Sequence, residues 1–479
     1  MAAADVPVSD LESRTRACAE RIRDADEILL ASHIDADGLT SAAVAATALR
    51  RAGIPFEATF EKQLDADSIA AIARRPYDAV LFTDFGSGQL DVITKHETAG
   101  DFTPIIADHH QPADAETKYH LNPLLEGIDG ASELSGAGAS YLLARALAEE
   151  RDGNRDLAAL AVVGAVGDMQ AMGGTLEGAN ASIVDEGIDA GVLAETTDLS
   201  IYGKQTRPLP KLLEYASDVD IPGISNDERG VHSFLDKLEV DCRGDDGWRR
   251  WVDLTDSERQ QVASGLVRHA VSRGVPASRI ERLIGTTYVL ETEEPGTELR
   301  DASEFSTLLN ATARYERADV GLAVCLGDRK EAFDRARDLL RNHRRNLSEG
   351  ITWVENNGVT AERNLQWFDA GDTIRETIVG IIAGMSMGAE GVSREKPIVA
   401  FARKSDEETK VSGRGTGPLV SKGLDLSAVM GEASRAVGGD GGGHDIAAGA
   451  TIPAGEESAF VEAADRIVGE QLGVSDGDS

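Results

Sequence analysis

Four apolar segments, separated by amphipathic stretches, occupy the first 125 residues and constrain the fold more than any other feature. They are EILLASH from Glu27, PFEATFE from Pro55, DAVLFTDF from Asp78 and TPIIADHH from Thr103. Amphipathic stretches such as LTSAAVAATALRRAG lie between them, which is the spacing of βαβ units. Apolar runs without alternation are typical of strands that are covered on both faces. The sequence therefore predicts an α/β fold with a parallel sheet.

Three of these predicted strands end in acidic and histidine side chains. The motifs are HIDADG at 33–38, TDFG at 83–86 and DHH at 108–110. In open α/β sheets, ligands collect beyond the carboxyl ends of the strands, so side chains far apart in sequence converge there. Gly38 lets the chain turn tightly into the next helix. A further acid, Asp168, ends the apolar pattern LAALAVVGAVGD and is a candidate closing ligand.

These residue types indicate a metal site. Carboxylates and imidazoles without a thiolate suit Mn²⁺ or Mg²⁺ better than structural zinc. Five carboxylates and three imidazoles exceed the needs of one ion, and two ions ~3.5–4 Å apart would clamp a phosphoryl transfer. Each motif alone would be interpreted as a turn, a helix cap or a surface histidine pair. Their coincidence in four motifs favours a site.

The charge of the chain is strongly acidic. It has 83 Asp plus Glu against 48 Lys plus Arg, for a formal net charge of −35. Such self-repulsion destabilises a compact state unless salt screens it, and the screening length falls to ~3 Å at molar salt. We therefore expect a salt-rich cytoplasm, as in a halophilic archaeon. The acidity does not argue against a nucleic-acid substrate.

The cysteines and the hydropathy indicate the compartment. Cys18, Cys242 and Cys325 are odd in number and form no Cys-x-x-Cys pair, which predicts a reduced compartment. The N-terminus lacks a basic and then apolar signal pattern, and no segment is apolar for the ~20 residues of a membrane span. We expect a soluble, cytoplasmic protein without membrane contact.

A glycine-rich segment near the C-terminus, GGDGGGHDIAAGA, has amides that no side chain shields. Such amides suit close approach to a phosphate or a sugar, and Arg414 in VSGRGTG could grip a phosphate bidentately. The alternatives are a flexible loop and a solvated hairpin arginine. The candidate substrate-binding residues are Ser412, Arg414, Gly442, Gly443 and His444.

Two further segments allow two interpretations each. The helix DRKEAFDRARDLLRNHRRN from Asp328 either faces a nucleic-acid channel or is a solvated face with paired charges. Trp248 and Trp251 either stack on bases or, as we favour, anchor a small core or a partner interface. Residues 196–300 are interpreted as an insertion that modulates substrate access or binds a partner.

The motifs HIDADG, TDFGSG, ADHH and VGD, in this order, resemble those of the DHH phosphoesterase superfamily. VSGRGTG and GGDGGGHDIAAGATIP are similar to the DHH-associated domain, and the whole chain resembles archaeal RecJ-like single-strand-specific exonucleases, including the GINS-associated nucleases. The resemblance implies a parallel-sheet DHH domain at 1–195 and an insertion at 196–300. A basic connector helix at 301–350 and a smaller α/β C-terminal domain at 351–479 would follow.

The resemblance also implies roles for individual residues. It implies two divalent ions, with Mn²⁺ favoured over Mg²⁺. His33 and Asp35 would hold one ion, Asp37, His109 and Asp168 would hold the other, and Asp84 would bridge the two. His110 would lie beside the scissile phosphate, where it stabilises charge or protonates the leaving oxygen. Asp108 would contact the ligand residues, not the ions, and would fix their orientation.

The sequence thus predicts a two-metal phosphodiesterase that releases nucleotides from one end of a single strand passing between the two domains. The resemblance favours DNA over RNA, 5′ to 3′ digestion and a GINS or replisome partner. Three alternatives remain: a 3′ to 5′ exonuclease of short oligoribonucleotides, a phosphohydrolase of pyrophosphate or cyclic dinucleotides, and a replisome scaffold with secondary nuclease activity.

Overall fold

The computed structural model describes residues 7–171, 174–216, 219–244, 247–389 and 391–473. It divides into two compact units, Met1–Arg337 and Asp338–Ser479. All three cysteines are free and buried. Among the described helices, none combines the length and the apolar character that crossing a membrane requires.

A five-stranded parallel sheet forms the N-terminal part of the first unit. Its strands are β1 (Ile28–His33), β2 (Phe56–Glu61), β3 (Ala79–Thr83), β4 (Thr103–Ala107) and β5 (His120–Leu121). Their spatial order is β2-β1-β3-β4-β5, and every neighbouring pair is parallel. The predicted α/β fold with a parallel sheet is confirmed, and β5 adds a short strand that the sequence pattern did not indicate.

Seven helices accompany this sheet. They are α1 (Glu12–Arg23), α2 (Ala36–Arg51), α3 (Ala66–Ala73), α4 (Leu90–Ala99), α5 (Gly136–Leu147), α6 (Ala158–Gly167) and α7 (Gly178–Asp189). Side-chain oxygens of Asp35, Asp65 and Ser135 cap α2, α3 and α5 by accepting backbone N–H groups, which satisfies donors that a helix start leaves unpaired. Helices α2, α5 and α6 pack against one another. The apolar pattern before Asp168 is thus the helix α6.

Both faces of the sheet are buried at its central strands β1, β3 and β4, which explains their apolar runs without alternation, whereas the edge strand β2 is partly exposed. One face packs against α3 and α4 through Leu29, Ala31, Val80, Phe82 and Ile106. The intervening strand residues are also fully buried: Ile28, Leu30, Leu81 and Ile105. Burial on both sides removes the polar positions that a half-exposed strand would carry.

The middle of the chain has its own apolar core within the first unit. Its elements are β6 (Leu193–Leu199), α8 (Leu209–Glu214), α9 (Glu228–Leu235), β7 (Arg243–Gly244), β8 (Gly247–Trp248), α10 (Asp256–Ser272), α11 (Ala277–Ile280) and β9 (Ile284–Leu290). β6 and β9 pair antiparallel. Helices α12 (Ala302–Arg314) and α13 (Ala318–Cys325) follow.

The two tryptophans of this region belong to that core. Trp251 is buried, and its indole N–H donates to Asp198. Trp248 packs against the same cluster, and the Arg243 guanidinium lies 4.0 Å from its ring centroid. The favoured interpretation, that this pair anchors a small core, agrees with these contacts, and the burial of Trp251 argues against base stacking by that ring.

The second unit carries a six-stranded sheet in the order β10-β11-β12-β13-β15-β14. Its strands are β10 (Thr360–Ala361), β11 (Gln366–Asp369), β12 (Ile398–Arg403), β13 (Glu408–Arg414), β14 (Asp440–Gly443) and β15 (Ala447–Pro453). The α-helices that the structure describes from Glu331 onwards are α14 (Glu331–Asn357), α15 (Val379–Ser386), α16 (Gly417–Val420), α17 (Leu426–Ala436) and α18 (Glu457–Gln471). Among the strands that the structure describes in this sheet, only β11 and β12 pair parallel. The predicted smaller α/β domain is confirmed.

Most of the basic segment from Asp328 lies in α14, which begins at Glu331, and several of its arginines are paired. Arg335 bonds Glu331, Arg341 bonds Asp338 and Arg345 lies 3.9 Å from Glu349, all within one helical turn. Such pairs along a helix typify a solvated face. They support that interpretation over a surface reserved for nucleic acid.

A buried carboxylate joins α12 to the middle region. Glu304 is buried, and its oxygens accept hydrogen bonds from Gln205 N at 2.7 Å and Thr206 Oγ1 at 2.5 Å. Burial, reinforced by the nearby Asp301, raises the pKa of Glu304 from 4.5 to about 7. Removal of a charged carboxylate from water disfavours its ionised form.

This raised pKa predicts a pH-dependent stability. Folded protein keeps the Glu304 proton up to about pH 7, whereas unfolded protein releases it near pH 4.5. The contribution of protonated Glu304 to the free energy of unfolding is therefore full below pH 4.5 and is lost as the pH rises through 7. Glu304→Gln carries no charge and should raise the free energy of unfolding by about 2 kcal/mol more at pH 8 than at pH 5. Urea unfolding of both proteins at each pH measures this. Glu281→Gln, at an exposed site, is the control, and an equal effect at both pH values would contradict the prediction.

Candidate metal centre

The carboxyl ends of β1, β3 and β4 meet at one edge of the parallel sheet. Ser32 pairs with Thr83, and Thr83 pairs with Ala107, so the three strands end level with one another. The strand order reverses between β1 and β3, which is where ligands bind in such sheets. The motifs HIDADG, TDFG and DHH therefore open into one crevice.

The first group of potential ligands consists of His33, Asp35 and Asp84. His33 Nδ1 lies 3.1 Å from Asp35 Oδ1 and 3.5 Å from Asp84 Oδ2. The three residues offer one ligand atom each, all within 4.8 Å of one another. His33 and Asp35 remain partly exposed while Asp84 is buried.

The second group consists of Asp37, His109 and Asp168. His109 Nε2 lies 3.8 Å from both Asp37 Oδ2 and Asp168 Oδ2, and the ligand atoms again lie within 4.8 Å of one another. His109 Nε2 is also 3.3 Å from Asp84 Oδ1. Asp84 therefore stands between the two groups, as the position between two ions would require.

The backbone at Asp84 is unusual. Its φ is 60°, in the left-handed region that few residues other than glycine, Asn and Asp adopt. Its N–H donates to Ala107 O at 3.0 Å, which extends the strand pairing to this residue. A Cβ on Gly136 would lie 2.5 Å from Asp84 Oδ1. The start of α5 can thus approach the carboxylate only because residue 136 is glycine.

Asp37 is anchored by the N-terminus of α5. Its Oδ2 accepts the Gly136 N–H at 2.7 Å and its Oδ1 accepts the Ala137 N–H at 3.0 Å. Unpaired N–H groups at a helix start stabilise negative charge. Even so, burial and the neighbouring Asp84 and Asp168 raise the pKa of Asp37 well above its ordinary value.

A hydrogen bond on the ring atom that faces away from the carboxylates fixes the orientation of His109. Its Nδ1–H donates to Gly130 O at 2.6 Å, which leaves Nε2 as the atom that faces the carboxylates. A histidine that binds a metal usually donates its other N–H in this way. A Cβ on Gly130 would collide with the His109 carbonyl.

Two buried polar atoms at the centre have no hydrogen-bond partner among the described residues. They are Asp84 Oδ1 and His109 Nε2, which lie 3.3 Å apart without the alignment of a hydrogen bond. Unsatisfied buried groups of this kind call for an ion or an ordered water. The surrounding donors are carboxylate oxygens and imidazole nitrogens, which suit a divalent cation such as Mn²⁺ or Mg²⁺. The residues present therefore fit a metal site.

The titration behaviour reflects crowded negative charge. Burial would lower the pKa of His33, but Asp35 and Asp84 raise it to about 11. Burial raises the pKa of Asp168 to about 6, with Asp84 adding to the rise. Burial acts the same way on Asp84, but His109 and His33 outweigh it and hold its pKa well below the ordinary value. The carboxylates thus compete for the positive charge of two histidines.

His110 is attached to the centre through Asp108. The His110 Nδ1–H donates to Asp108 Oδ1 at 2.8 Å, and this bond raises the pKa of His110. Asp108 is fully buried and also accepts the backbone N–H groups of His109 and His110. The His110 side chain itself is 56% exposed, so it can meet a substrate.

A buried polar network behind His110 went unnoticed in the sequence. Asn122 donates to His110 O and to Ser87 Oγ, both at 2.9 Å. Ser87 Oγ bonds His120 Nε2 at 2.9 Å, and Ser87 N donates to Asp108 Oδ2. Burial lowers the pKa of His120 to about 4. In the sequence, Asn122-Pro123 has the pattern of an ordinary helix cap. The Asn122 Oδ1 does accept the Leu124 N–H.

Gln170 was also missed. Its amide donates to Asp168 Oδ2 and to Gly130 O, both at 2.9 Å, and accepts from Asn180. Gln170 therefore orients Asp168 and shares Gly130 O with His109. Its position two residues after Asp168 was the only available signal.

The predicted substrate-binding residues lie in the second unit, at one end of three neighbouring strands. In the register of β13, β15 and β14, Ser412 aligns with Gly449 and Gly442. Arg414 ends β13 beside Gly380 and Gly384 of α15, and its Nη1 donates to Gly413 O. Gly443 ends β14, and His444 follows in an exposed turn to β15. The glycine-rich segment is thus a hairpin, and its ligand remains a prediction.

Domain comparisons cover most of the chain. Residues 27–165 match the N-terminal domain of the DHH family, residues 201–284 match the DHH-CID domain, and residues 364–470 match the DHHA1 domain. The chain is 30% identical over 474 residues to the uncharacterized protein MJ0831 of Methanocaldococcus jannaschii, which covers 97% of this chain and 99% of that protein.

Solved structures share the fold. RecJ from Thermus thermophilus in complex with Mn²⁺ is 16% identical with a TM-score of 0.60, over 98% of this chain and 56% of that one. The chain thus spans little more than half of the Thermus protein. CDC45 from Entamoeba histolytica is 11% identical with a TM-score of 0.65, over 96% of this chain and 99% of that one. Identities this low establish similarity of fold alone.

The geometry predicts metal binding that depends on Asp84. We expect wild-type protein to bind two Mn²⁺ per chain, and Asp84→Asn to lose most of this binding, because Asp84 lies within 3.5 Å of the histidines of both groups. Asn is the suitable replacement because it tolerates the positive φ. Titration of free Mn²⁺ by electron paramagnetic resonance measures the stoichiometry.

Unfolding gives an independent measure of the same site. Mn²⁺ at 100 times its dissociation constant should raise the free energy of unfolding of wild type by about 2.7 kcal/mol per site, and that of Asp84→Asn by much less. Asp256→Asn removes a fully exposed carboxylate at the start of α10 and should behave as wild type. Unchanged Mn²⁺ binding by Asp84→Asn would contradict the assignment.

Proposed function

The chain belongs to the DHH family, and from that premise we propose that it is a metal-dependent phosphodiesterase acting as an exonuclease on single-stranded nucleic acid. The observation that carries the proposal is the position of Asp84. It lies 3.5 Å from His33 in one ligand group and 3.3 Å from His109 in the other. A shared carboxylate between two ligand sets is the arrangement of two-metal phosphodiester hydrolysis.

The metal ligands in this proposal are those predicted from the sequence. His33 and Asp35 would hold one ion, Asp37, His109 and Asp168 the other, and Asp84 both. When bound, two such cations supply charge stabilisation at the phosphoryl oxygens and acidify water. The chain itself contributes rigid orientation, since Gly130 O fixes His109 and the α5 amides fix Asp37.

His110 is the proposed proton donor. Hydrolysis breaks the bond between phosphorus and the leaving nucleoside oxygen, and that oxygen needs a proton. The hydrogen bond from His110 Nδ1 to Asp108 leaves Nε2 for the substrate and favours the protonated ring. Positioned acids of this kind contribute about 10²- to 10⁴-fold to the rate. Asp108 acts as the positioning residue.

The substrate is proposed to be single-stranded DNA, digested from its 5′ end. The resemblance to RecJ-like exonucleases supports this choice, and the likeness of fold to RecJ supports it at the level of architecture. Short RNA, pyrophosphate and cyclic dinucleotides are the competing substrates. Their phosphates would meet the same ligand groups, so only substrate assays separate them.

The direct test incubates the purified full chain with Mn²⁺ in high salt and with DNA or RNA single strands labelled at either end. We expect mononucleotides to be released first from the 5′ end of DNA, and duplex ends to be resistant. Asp84→Asn should lower the rate by at least 10²-fold, because it removes the residue shared by both ligand groups. Asp256→Asn is the matched control.

Other outcomes of this assay would overturn parts of the proposal. Release from the 3′ ends of short RNA would indicate RNA turnover instead. Hydrolysis of pyrophosphate or a cyclic dinucleotide alone would keep the phosphohydrolase and exclude the exonuclease. A wild-type rate in Asp84→Asn would overturn the site.

Replacement of His110 tests its role as a proton donor. His110→Ala should lower kcat by about 10²- to 10⁴-fold for a dinucleotide, whose leaving oxygen is a strong base. For a p-nitrophenyl ester, whose leaving group departs without a proton, the loss should be under tenfold. Parallel kinetics on the two substrates measure the difference. Equal losses would mean that His110 stabilises charge in the transition state and donates no proton.

A further inference from the structure

A cavity of about 370 Å³ adjoins the candidate metal centre within the first unit. Its lining includes His33, Asp84 and His110 on the side of the centre. Small-molecule sites typically measure ~300–1,000 Å³, so this volume suits one compact group. A group attached to a phosphate at the metal centre would reach directly into this space.

The other side of the cavity is built by three loops that follow β2, β3 and β4. Each loop contributes one glutamine to the lining: Gln63, Gln89 and Gln111. Because the three strands are parallel neighbours of β1 or of one another, their following loops lie at the same edge of the sheet. Three glutamine residues from separate parts of the chain therefore line one cavity.

These amides are available for a ligand. The side chains of Gln63, Gln89 and Gln111 form no hydrogen bond to any residue that the structure describes, and all three are at least partly exposed, so their amides can turn towards a ligand. Buried Leu64 and Phe85 supply apolar wall between them. An apolar wall with a few convergent polar groups is the usual form of a small-molecule site.

The charged residues of the lining indicate which class of ligand the cavity would bind. Its carboxylates are Asp84 and Asp108, and the latter is bonded to His110, whereas the chain as a whole carries a net charge of −35. Among the described residues, Lys62 is the one lysine of the lining, and no arginine lines it. If the cavity bound a second phosphate beside the one at the metal centre, its lining would need several cations or a guanidinium. Neutral amides, which both donate and accept, instead match the edge of a nucleobase.

We propose that this cavity, the glutamine pocket, binds the nucleobase of a nucleotide whose phosphate lies at the metal centre. The inference rests on the proposed function, because it takes a nucleotide phosphate at that centre as given. It adds a contact that distinguishes nucleic acid from pyrophosphate. The unstacked base that it needs is available in a single strand and is withheld in a duplex.

Binding measurements test the pocket without requiring hydrolysis. The ligands are thymidine 5′-monophosphate, thymidine 3′-monophosphate and base-free deoxyribose 5-phosphate, titrated calorimetrically into the full chain with Mn²⁺. Wild type should bind at least one thymidine monophosphate tenfold or more tighter than deoxyribose 5-phosphate. The triple variant Gln63→Ala/Gln89→Ala/Gln111→Ala should reduce that preference below threefold, because each lost hydrogen bond costs about three- to tenfold. Its affinity for deoxyribose 5-phosphate should not change.

Two controls separate the pocket from folding and from the proposed function. Gln260→Ala replaces an exposed glutamine of α10 in the same unit and should keep the preference of wild type. Hydrolysis of a thymidine dinucleotide is followed in parallel. A preserved base preference without hydrolysis would overturn the proposed function and keep the pocket. Equal binding of all three ligands by wild type, or equal losses for all three in the triple variant, would overturn the pocket.

Discussion

Three fully buried carboxylates, Asp37, Asp84 and Asp108, lie at one end of the parallel sheet, and the surrounding elements compensate their charge. The α5 N-terminus donates to Asp37, the backbone of its own loop donates to Asp108, and two histidines face Asp84. Burial without such partners would be strongly unfavourable. Helices α5 and α6 pack closely against these carboxylates, because a Cβ at Gly136 would collide with Asp84 and a Cβ at Gly164 would collide with Asp37. Helices α5 and α6 are therefore held against the site.

The parallel sheet and its motifs could be predicted because two local signals coincide. Apolar runs without alternation indicated strands that are covered on both faces, and such strands place their carboxyl ends together. The motifs carried the resemblance to the DHH superfamily, which the domain matches confirm. Asp168 was predicted as a ligand from its place after an apolar pattern, and it reaches the crevice from α6. The haloarchaeal origin, the GINS partner and the individual metal roles stay predictions.

The supporting residues could not be predicted, because their roles depend on distances that no local pattern encodes. Asn122 reaches His110 O only because β5 pairs beside β4, and β5 is two residues long. The three glutamines of the glutamine pocket share neither spacing nor motif. Their convergence results from sheet order, which a single sequence specifies only through the whole fold.

The acidity of the chain bears on how it would hold a phosphate-bearing substrate. A net charge of −35 repels nucleic acid at long range, and salt removes that repulsion together with any attraction by exposed basic groups. Binding through a basic groove would weaken steeply as salt rises. Cations that the buried carboxylates would hold, and hydrogen bonds from the amides of the proposed glutamine pocket, would act at short range, where screening is weak. An acidic surface and a pocket with uncharged amides beside the candidate metal centre are therefore compatible with recognition in concentrated salt.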